Sequence, residues 1–320
     1  MTKLTSCAEA EPSMGVMFNG LLFFPITPYQ SDGEVDLAEL AAHVKRGVDA
    51  GAGGVFVACG TGEFSALEPG EYADVVAAAV EAIAGRVPVF AGAGGPVRTA
   101  RRFADRAKDA GADGILLLPP YLTEASGAGL VGYVRAATRA DLPAIVYNRA
   151  NARFNEDSAV AVAGLPQVIG FKDGAGDLDL MSRIVRAVRD EVDDQSFLFF
   201  NGMPTAEVTQ RAYRAIGVPL YSSAAFAFAP RVALAYYDAL ERDDSATLAA
   251  LDRSFYHPLA RLRAQGSGYA VSLVKAGVEL AGYSSGGVRP PLTEVAQPHR
   301  EELSRILAAG LAALPEPVKS

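Results

Sequence analysis

One short pattern recurs along the chain: an apolar run of a few residues, then a longer stretch with apolar positions at helical spacing. The runs at 21–24, 54–58, 88–91, 114–118, 144–147, 168–171, 197–200 and 220–222 give eight candidate strands. Residues 37–50, 69–84, 97–110, 129–139, 156–163, 178–191, 205–216 and 230–242 read as the helices that follow them. The runs show little polar alternation, as strands buried on both faces require. Glycines punctuate the helix ends, as in Ala110-Gly111-Ala112-Asp113-Gly114 and Ala50-Gly51-Ala52-Gly53-Gly54. Eight β/α units of about 25–35 residues fit an α/β fold of the (β/α)8 TIM barrel type. A doubly wound sheet is the alternative, but no GxGxxG follows the first run. Helical spacing continues over 246–265, 269–282 and 298–314, which predicts a C-terminal helical appendage. The expected organisation is a flexible tail at 1–14, a barrel over 15–242 and a helical extension over 243–320 packed on the barrel.

Composition narrows the partners. Half the chain is hydrophobic, enough for a large core, and no stretch reaches the ~20 apolar residues of a membrane span. The net charge is −8 with dispersed basic residues, which argues against nucleic acid or an anionic membrane surface. A small anionic molecule, held by a few local donors, is not excluded by this charge. Cys7 and Cys59 form no CxxC pair and no disulfide framework, which suits a reducing cytoplasm. Residues 1–19 hold Glu9 and Glu11 and no apolar core of a secretory signal. The three histidines fall outside the strand ends, and no cluster has metal-ligand spacing, so no metal is expected.

In a barrel, chemistry sits at strand C-termini and the loops after them. Lys172, one of six lysines, ends the run Val168-Ile169-Gly170-Phe171. Burial there favours the neutral amine, a nucleophile that forms a Schiff base with a ketone. The same run also suits a lysine that snorkels to water. Strand five ends in Tyr147-Asn148-Arg149; the barrel reading places Tyr147 level with Lys172 on the neighbouring strand, as an acid/base for carbinolamine chemistry. A rim-anchoring tyrosine is the plainer account. After strand two, Gly60-Thr61-Gly62-Glu63 offers backbone N–H groups and a hydroxyl to a carboxylate. Gly202 after strand seven and Ser222 and Ser223 at strand eight are further candidates for lining the pocket. Lys275 lies in an apolar helix and reads as a helix-surface or interface lysine, with a second buried lysine as the alternative.

Gly60-Thr61-Gly62-Glu63, Tyr147-Asn148 and Gly170-Phe171-Lys172-Asp173, in that order, resemble the signatures of the dihydrodipicolinate synthase/N-acetylneuraminate lyase superfamily of class I Schiff-base lyases. The resemblance runs from Phe24-Pro25-Ile26-Thr27-Pro28 to the C-terminal helices. It is closest to a dehydratase branch, through Leu118-Pro119-Pro120-Tyr121, Tyr147-Asn148-Arg149, Phe171-Lys172-Asp173-Gly174-Ala175-Gly176-Asp177, Tyr221-Ser222-Ser223-Ala224 and Val288-Arg289-Pro290-Pro291-Leu292. Compared with the synthases, Gly60 replaces the first of two threonines, Leu122 replaces a relay tyrosine, and Ala152 replaces a carboxylate-binding arginine that Arg149 or Arg153 could supply. Within the dehydratase branch, Ala150 stands where an acidic residue is expected.

The resemblance implies a decarboxylating dehydratase of a keto-deoxy sugar diacid. Lys172 would form the imine, Tyr147 would act as acid/base, and Gly60 and Thr61 would hold the keto acid's carboxylate. Arg149, Gly202, Ser222 and Ser223 would contact substrate. One covalent electron sink would serve both eliminations, so no cofactor is expected. A homotetramer assembled as a dimer of dimers is also implied. An aldolase that releases pyruvate through the same imine, and a non-catalytic barrel that binds a keto acid, are the alternatives.

Overall fold

The computed structural model describes residues 18–120, 123–139, 141–192 and 196–315; the tail expected at 1–14 lies outside them. The strands are β1 (Leu22–Phe23), β2 (Gly54–Val57), β3 (Val89–Ala93), β4 (Gly114–Leu117), β5 (Ala144–Asn148), β6 (Val168–Asp173), β7 (Leu198–Asn201) and β8 (Leu220–Ser223). They pair in sequence order, all parallel, and β1 closes on β8 through Leu22↔Ser222 and Phe23↔Ser223. The fold is a (β/α)8 TIM barrel, as the repeat predicts. Closure leaves no sheet edge, so both strand faces are buried, which is why the runs lack polar alternation.

The outer helices are α1 (Leu37–Ala50), α2 (Pro69–Ile83), α3 (Val97–Asp109), α4 (Gly127–Ala137), α5 (Glu156–Ala163), α6 (Leu178–Glu191), α7 (Glu207–Ala215) and α8 (Pro230–Glu241). In α3 the buried residues Ala100, Phe103, Ala104 and Ala107 recur at helical spacing, so one stripe faces the sheet. Helix α6 starts on Asp177, whose carboxylate accepts from Leu180 N at 3.0 Å.

The barrel interior is filled from below by aromatic rings. Phe18 packs against Phe56, Phe90 and Phe200 with centroids 5.2–5.9 Å apart. Phe24 stacks above Phe56 at 4.6 Å with an 8° interplanar angle. This column is the floor on which the candidate site rests.

Beyond α8 the chain departs from expectation. Residues 246–265 do not form one helix but α9 (Ser245–Leu251), a π-helical turn at Asp252–Tyr256 and α10 (His257–Arg263). Pro258, in the first turn of α10, has no N–H to continue the ladder, and the wider π turn takes up the break. Helices α11 (Tyr269–Leu280) and α12 (Gln297–Ala312) follow. Among the described residues, no helix is long and apolar enough to cross a membrane.

Strands β3, β5, β6, β7 and β8 run past their expected ends; β5 includes Asn148, and β6 includes Lys172 and Asp173. Tyr147 pairs with Lys172 in the β5–β6 register. At the end of β2, Ala58 turns to a φ of 49°, and a Cβ added at Gly92 on β3 would lie 2.2 Å from the Ala58 carbonyl oxygen. Glycine is therefore a packing requirement at the base of the β2 loop. Gly92→Ala is expected to cost about 1–3 kcal/mol, the usual size of overpacking. An equilibrium urea titration would show it as a lowered midpoint, and an unshifted midpoint would mean that β2 and β3 separate freely here.

Candidate active site

A cavity of about 370 Å³ opens at the C-terminal mouth of the barrel. Its lining includes Gly60, Thr61, Tyr147, Arg149, Lys172, Gly202 and Ser222, so seven of the eight residues singled out in the sequence meet at one place.

Lys172 projects from β6 into the barrel centre and is 4% exposed. Its Nζ lies 3.9 Å from the Phe24 ring centroid and 4.9 Å from that of Tyr147. Beneath it, Phe24 rests on Phe56 and closes the floor. Burial pushes the ammonium down to about 7, and repulsion from Arg149 acts in the same direction. The amine is thus buried at the cavity floor rather than snorkelling.

The Tyr147 hydroxyl donates to the Gly202 carbonyl at 2.9 Å and accepts from Arg149 Nη1 at 2.8 Å. The phenol is thereby fixed in place beside the lysine, giving one hydrogen bond and taking one. Glycines make room for this pair. A Cβ at Gly202 would come 2.5 Å from Lys172 Cε, and one at Gly174 would come 2.8 Å from the Tyr147 hydroxyl. Sequence reading assigns Gly202 to substrate space; in the structure the space it leaves is filled by the lysine.

The acids around Lys172 hold the loop. Asp173, 1% exposed, accepts from Asn148 Nδ2 at 2.7 Å and from the backbone N–H groups of Ala175 and Gly176. It also accepts from the Tyr213 hydroxyl at 2.5 Å. The β6 end is thereby tied to β5 and α7.

Ser223 is a correction. Successive strand residues face opposite sides, so with Ser222 at the cavity, Ser223 points outward. It is fully buried and donates to Glu207 Oε1 at 2.5 Å. Burial pushes the Glu207 carboxyl up to about 7.

Lys275 is a second correction. It is not on a surface: its Nζ pairs with Glu63 Oε1 at 2.5 Å, both side chains being 1% exposed, and it also donates to the Gly287 carbonyl. Glu63 sits in the β2 loop at a φ of 53°, next to the Gly60-Thr61 segment, and its Oε2 accepts from Arg289 N at 3.0 Å. The extension thus grips the loop after β2 from above. The sequence hid this pairing because Glu63 and Lys275 are more than 200 positions apart and only closure brings them together.

Two more arginines line the cavity and were not foreseen, since neither stands at a strand end. Arg289 donates to Glu71, to Ala66 O at 2.8 Å and to Gly33 O at 2.7 Å. Arg263, the last residue of α10, donates to the Thr205 hydroxyl. Among the described residues, no group of three or more His, Cys, Asp or Glu side chains is placed to hold a metal ion.

Removing one partner of a buried ion pair strands the other charge. Lys275→Met is expected to destabilise the fold by about 3–5 kcal/mol, and Glu63→Gln with Lys275→Met together by much less. Thermal or urea unfolding of the single and double variants checks this; additive losses would show that the two residues do not act as a pair.

Comparison with known proteins agrees with this geometry. Residues 17–310 match the model of the dihydrodipicolinate synthetase family. A Streptomyces coelicolor protein named "Probable 5-dehydro-4-deoxyglucarate dehydratase 1" is 55% identical over 91% of this chain and 93% of its own. A Streptomyces griseus protein named "Probable 5-dehydro-4-deoxyglucarate dehydratase" is 56% identical over 93% of each chain. Among solved structures, dihydrodipicolinate synthase from Oceanobacillus iheyensis superposes with a TM-score of 0.83 at 26% identity, covering 91% of this chain and 96% of that one. A prophage protein of the same family from Escherichia coli K12, solved with pyruvate, gives a TM-score of 0.81 at 25% identity, covering 91% and 98%. With its barrel, its strand-end lysine and tyrosine and these relatives, the chain belongs to the dihydrodipicolinate synthetase family.

Proposed function

We propose that the protein is a decarboxylating dehydratase that converts 5-dehydro-4-deoxy-D-glucarate to 2,5-dioxopentanoate, water and CO2 through a Schiff base on Lys172. The observation that carries the reading is the Lys172 amine, buried over Phe24 and paired in register with Tyr147. The names of the most similar relatives supply the substrate.

With the substrate numbered from its keto acid end, the neutral amine adds to C2. Tyr147, between Arg149 and the Gly202 carbonyl, gives and takes the protons as the carbinolamine loses water to form the iminium. Loss of a C3 proton gives an enamine, whose electrons expel the C4 hydroxyl as water. The resulting conjugated iminium extends the electron sink to C5. The C5–C6 bond then breaks, C6 leaves as CO2, and its electron pair returns to the nitrogen. Reprotonation, tautomerisation of the C5 enol to an aldehyde and hydrolysis release the product and the lysine. Gly60 and Thr61, under the grip of Glu63, hold the C1 carboxylate on the side of β2. The reading places the protein in the cytoplasm as a homotetramer, a state that sedimentation of the pure protein would test.

The deciding experiment incubates the pure protein with 5-dehydro-4-deoxyglucarate and follows CO2, 2,5-dioxopentanoate and pyruvate together. CO2 with the dioxo acid is expected; pyruvate without CO2 would make it an aldolase instead. Lys172→Ala should abolish turnover while leaving the fold intact. Tyr147→Phe should slow imine formation by about 10²–10⁴-fold; an unchanged rate would remove the phenol from the mechanism. The free amine must be neutral to attack, so kcat/KM should rise as pH passes about 7 and flatten above it. An acid limb centred well away from that value would show that another group governs the rate.

A further inference from the structure

Three arginines line the cavity, and they differ in what already occupies them. Arg289 is saturated by Glu71 and two carbonyl oxygens. Arg149 is committed to the Tyr147 hydroxyl. Arg263 has one neutral partner, the Thr205 hydroxyl, and among the described residues no carboxylate lies within ion-pair distance of it. The acid whose field it feels, Glu207, is buried behind the strand and bound to Ser223. Arg263 is half-buried, and Arg149 repels it across the same cavity. A desolvated guanidinium facing a like charge, with no anion of its own, is costly unless an anion enters.

The position of that anion follows from the barrel order. Gly60 and Thr61 follow β2, whereas Thr205 follows β7 and Arg149 follows β5, on the other side of the ring from β2. Lys172 on β6 rises between them, at the centre. A diacid whose keto carboxylate lies in the β2 loop, with C2 on Lys172, directs its other end toward Arg263.

We propose that Arg263, seated by Thr205, is the specificity residue that binds the distal carboxylate of the diacid and admits it in preference to the matching keto monoacid. This rests on the lyase reading above. The contact has a kinetic signature of its own. The distal carboxylate is the group that leaves as CO2, so its attraction to Arg263 is strongest in the bound ground state and fades as the C5–C6 bond breaks. Such a contact lowers KM and does not raise kcat. It also disfavours a neutral hydroxymethyl end, which would leave the guanidinium unpaired.

The test compares the wild type with Arg263→Met and Arg263→Lys on the diacid, with 2-keto-3-deoxygluconate as a competing monoacid and pyruvate as a ligand that has no distal end. Arg263→Met should raise KM for the diacid about 10- to 100-fold, with kcat not reduced. The inhibition constant of the monoacid should stay within a few-fold of the wild type, and Arg263→Lys should recover part of the loss. Borohydride trapping of pyruvate on Lys172 should be equal in all three proteins. An unchanged KM, or a loss that falls equally on pyruvate and the monoacid, would overturn the assignment. Failure of the wild type itself to trap pyruvate would instead remove the Schiff-base reading, and this proposal with it.

Discussion

A solvated lysine keeps its proton to near pH 10. At Lys172 the column of Phe18, Phe56 and Phe24 replaces the water that would hold it. That column exists because a closed ring of eight strands must fill its own interior: β2, β3 and β7 contribute Phe56, Phe90 and Phe200, and Phe24 follows directly after β1. The hydrophobic floor is therefore both part of the core of the fold and the cause of the desolvation that lowers the amine's proton affinity. A change that lets water into the floor acts on stability and on nucleophilicity together.

The two buried lysines show how surroundings decide a residue's role. Lys275 lies 3.9 Å from the Tyr29 ring centroid, much as Lys172 lies over Phe24, but it meets Glu63 at 2.5 Å. Desolvation still lowers it, while the carboxylate opposes the loss of its charge. A paired cation costs little to keep charged and acts as a strut. Among the described residues Lys172 has no carboxylate in hydrogen-bonding contact, so the same desolvation weakens its hold on the proton. The neighbouring phenol of Tyr147, held by Arg149 and the Gly202 carbonyl, offers it no carboxylate partner.

Much of this was legible because it is periodic or local. The eight runs, the glycine-marked helix ends and the polar strand tips give the barrel and seven of the cavity residues. What stayed hidden depends on parity, on closure or on a break in a helix. Ser222 and Ser223 could not both face the cavity, and the period of two already says so, but the strand's short length concealed which would. Glu63 and Lys275 meet only after the chain has gone full circle. The π turn before α10 sets where Arg263 ends, and its one sequence signal is Pro258 inside a stretch that otherwise reads as helix.

The C-terminal helices are not a separate cover on a finished barrel. Arg263, Lys275 and Arg289 all come from beyond α8, and each reaches a loop at the barrel mouth: Thr205 after β7, Glu63 after β2, and Ala66 with Glu71 beyond it. The barrel centre supplies an amine and a phenol, which serve any 2-keto acid equally well. Selection among keto acids then has to come from groups at the rim that see the far end of the substrate. Helix α10 brings Arg263 to the cavity rim without touching the lysine, so under the proposed reading the choice of substrate and the chemistry rest on different parts of the chain. On that reading, a change in the extension would redirect the enzyme while the proposed imine chemistry at its centre stayed intact.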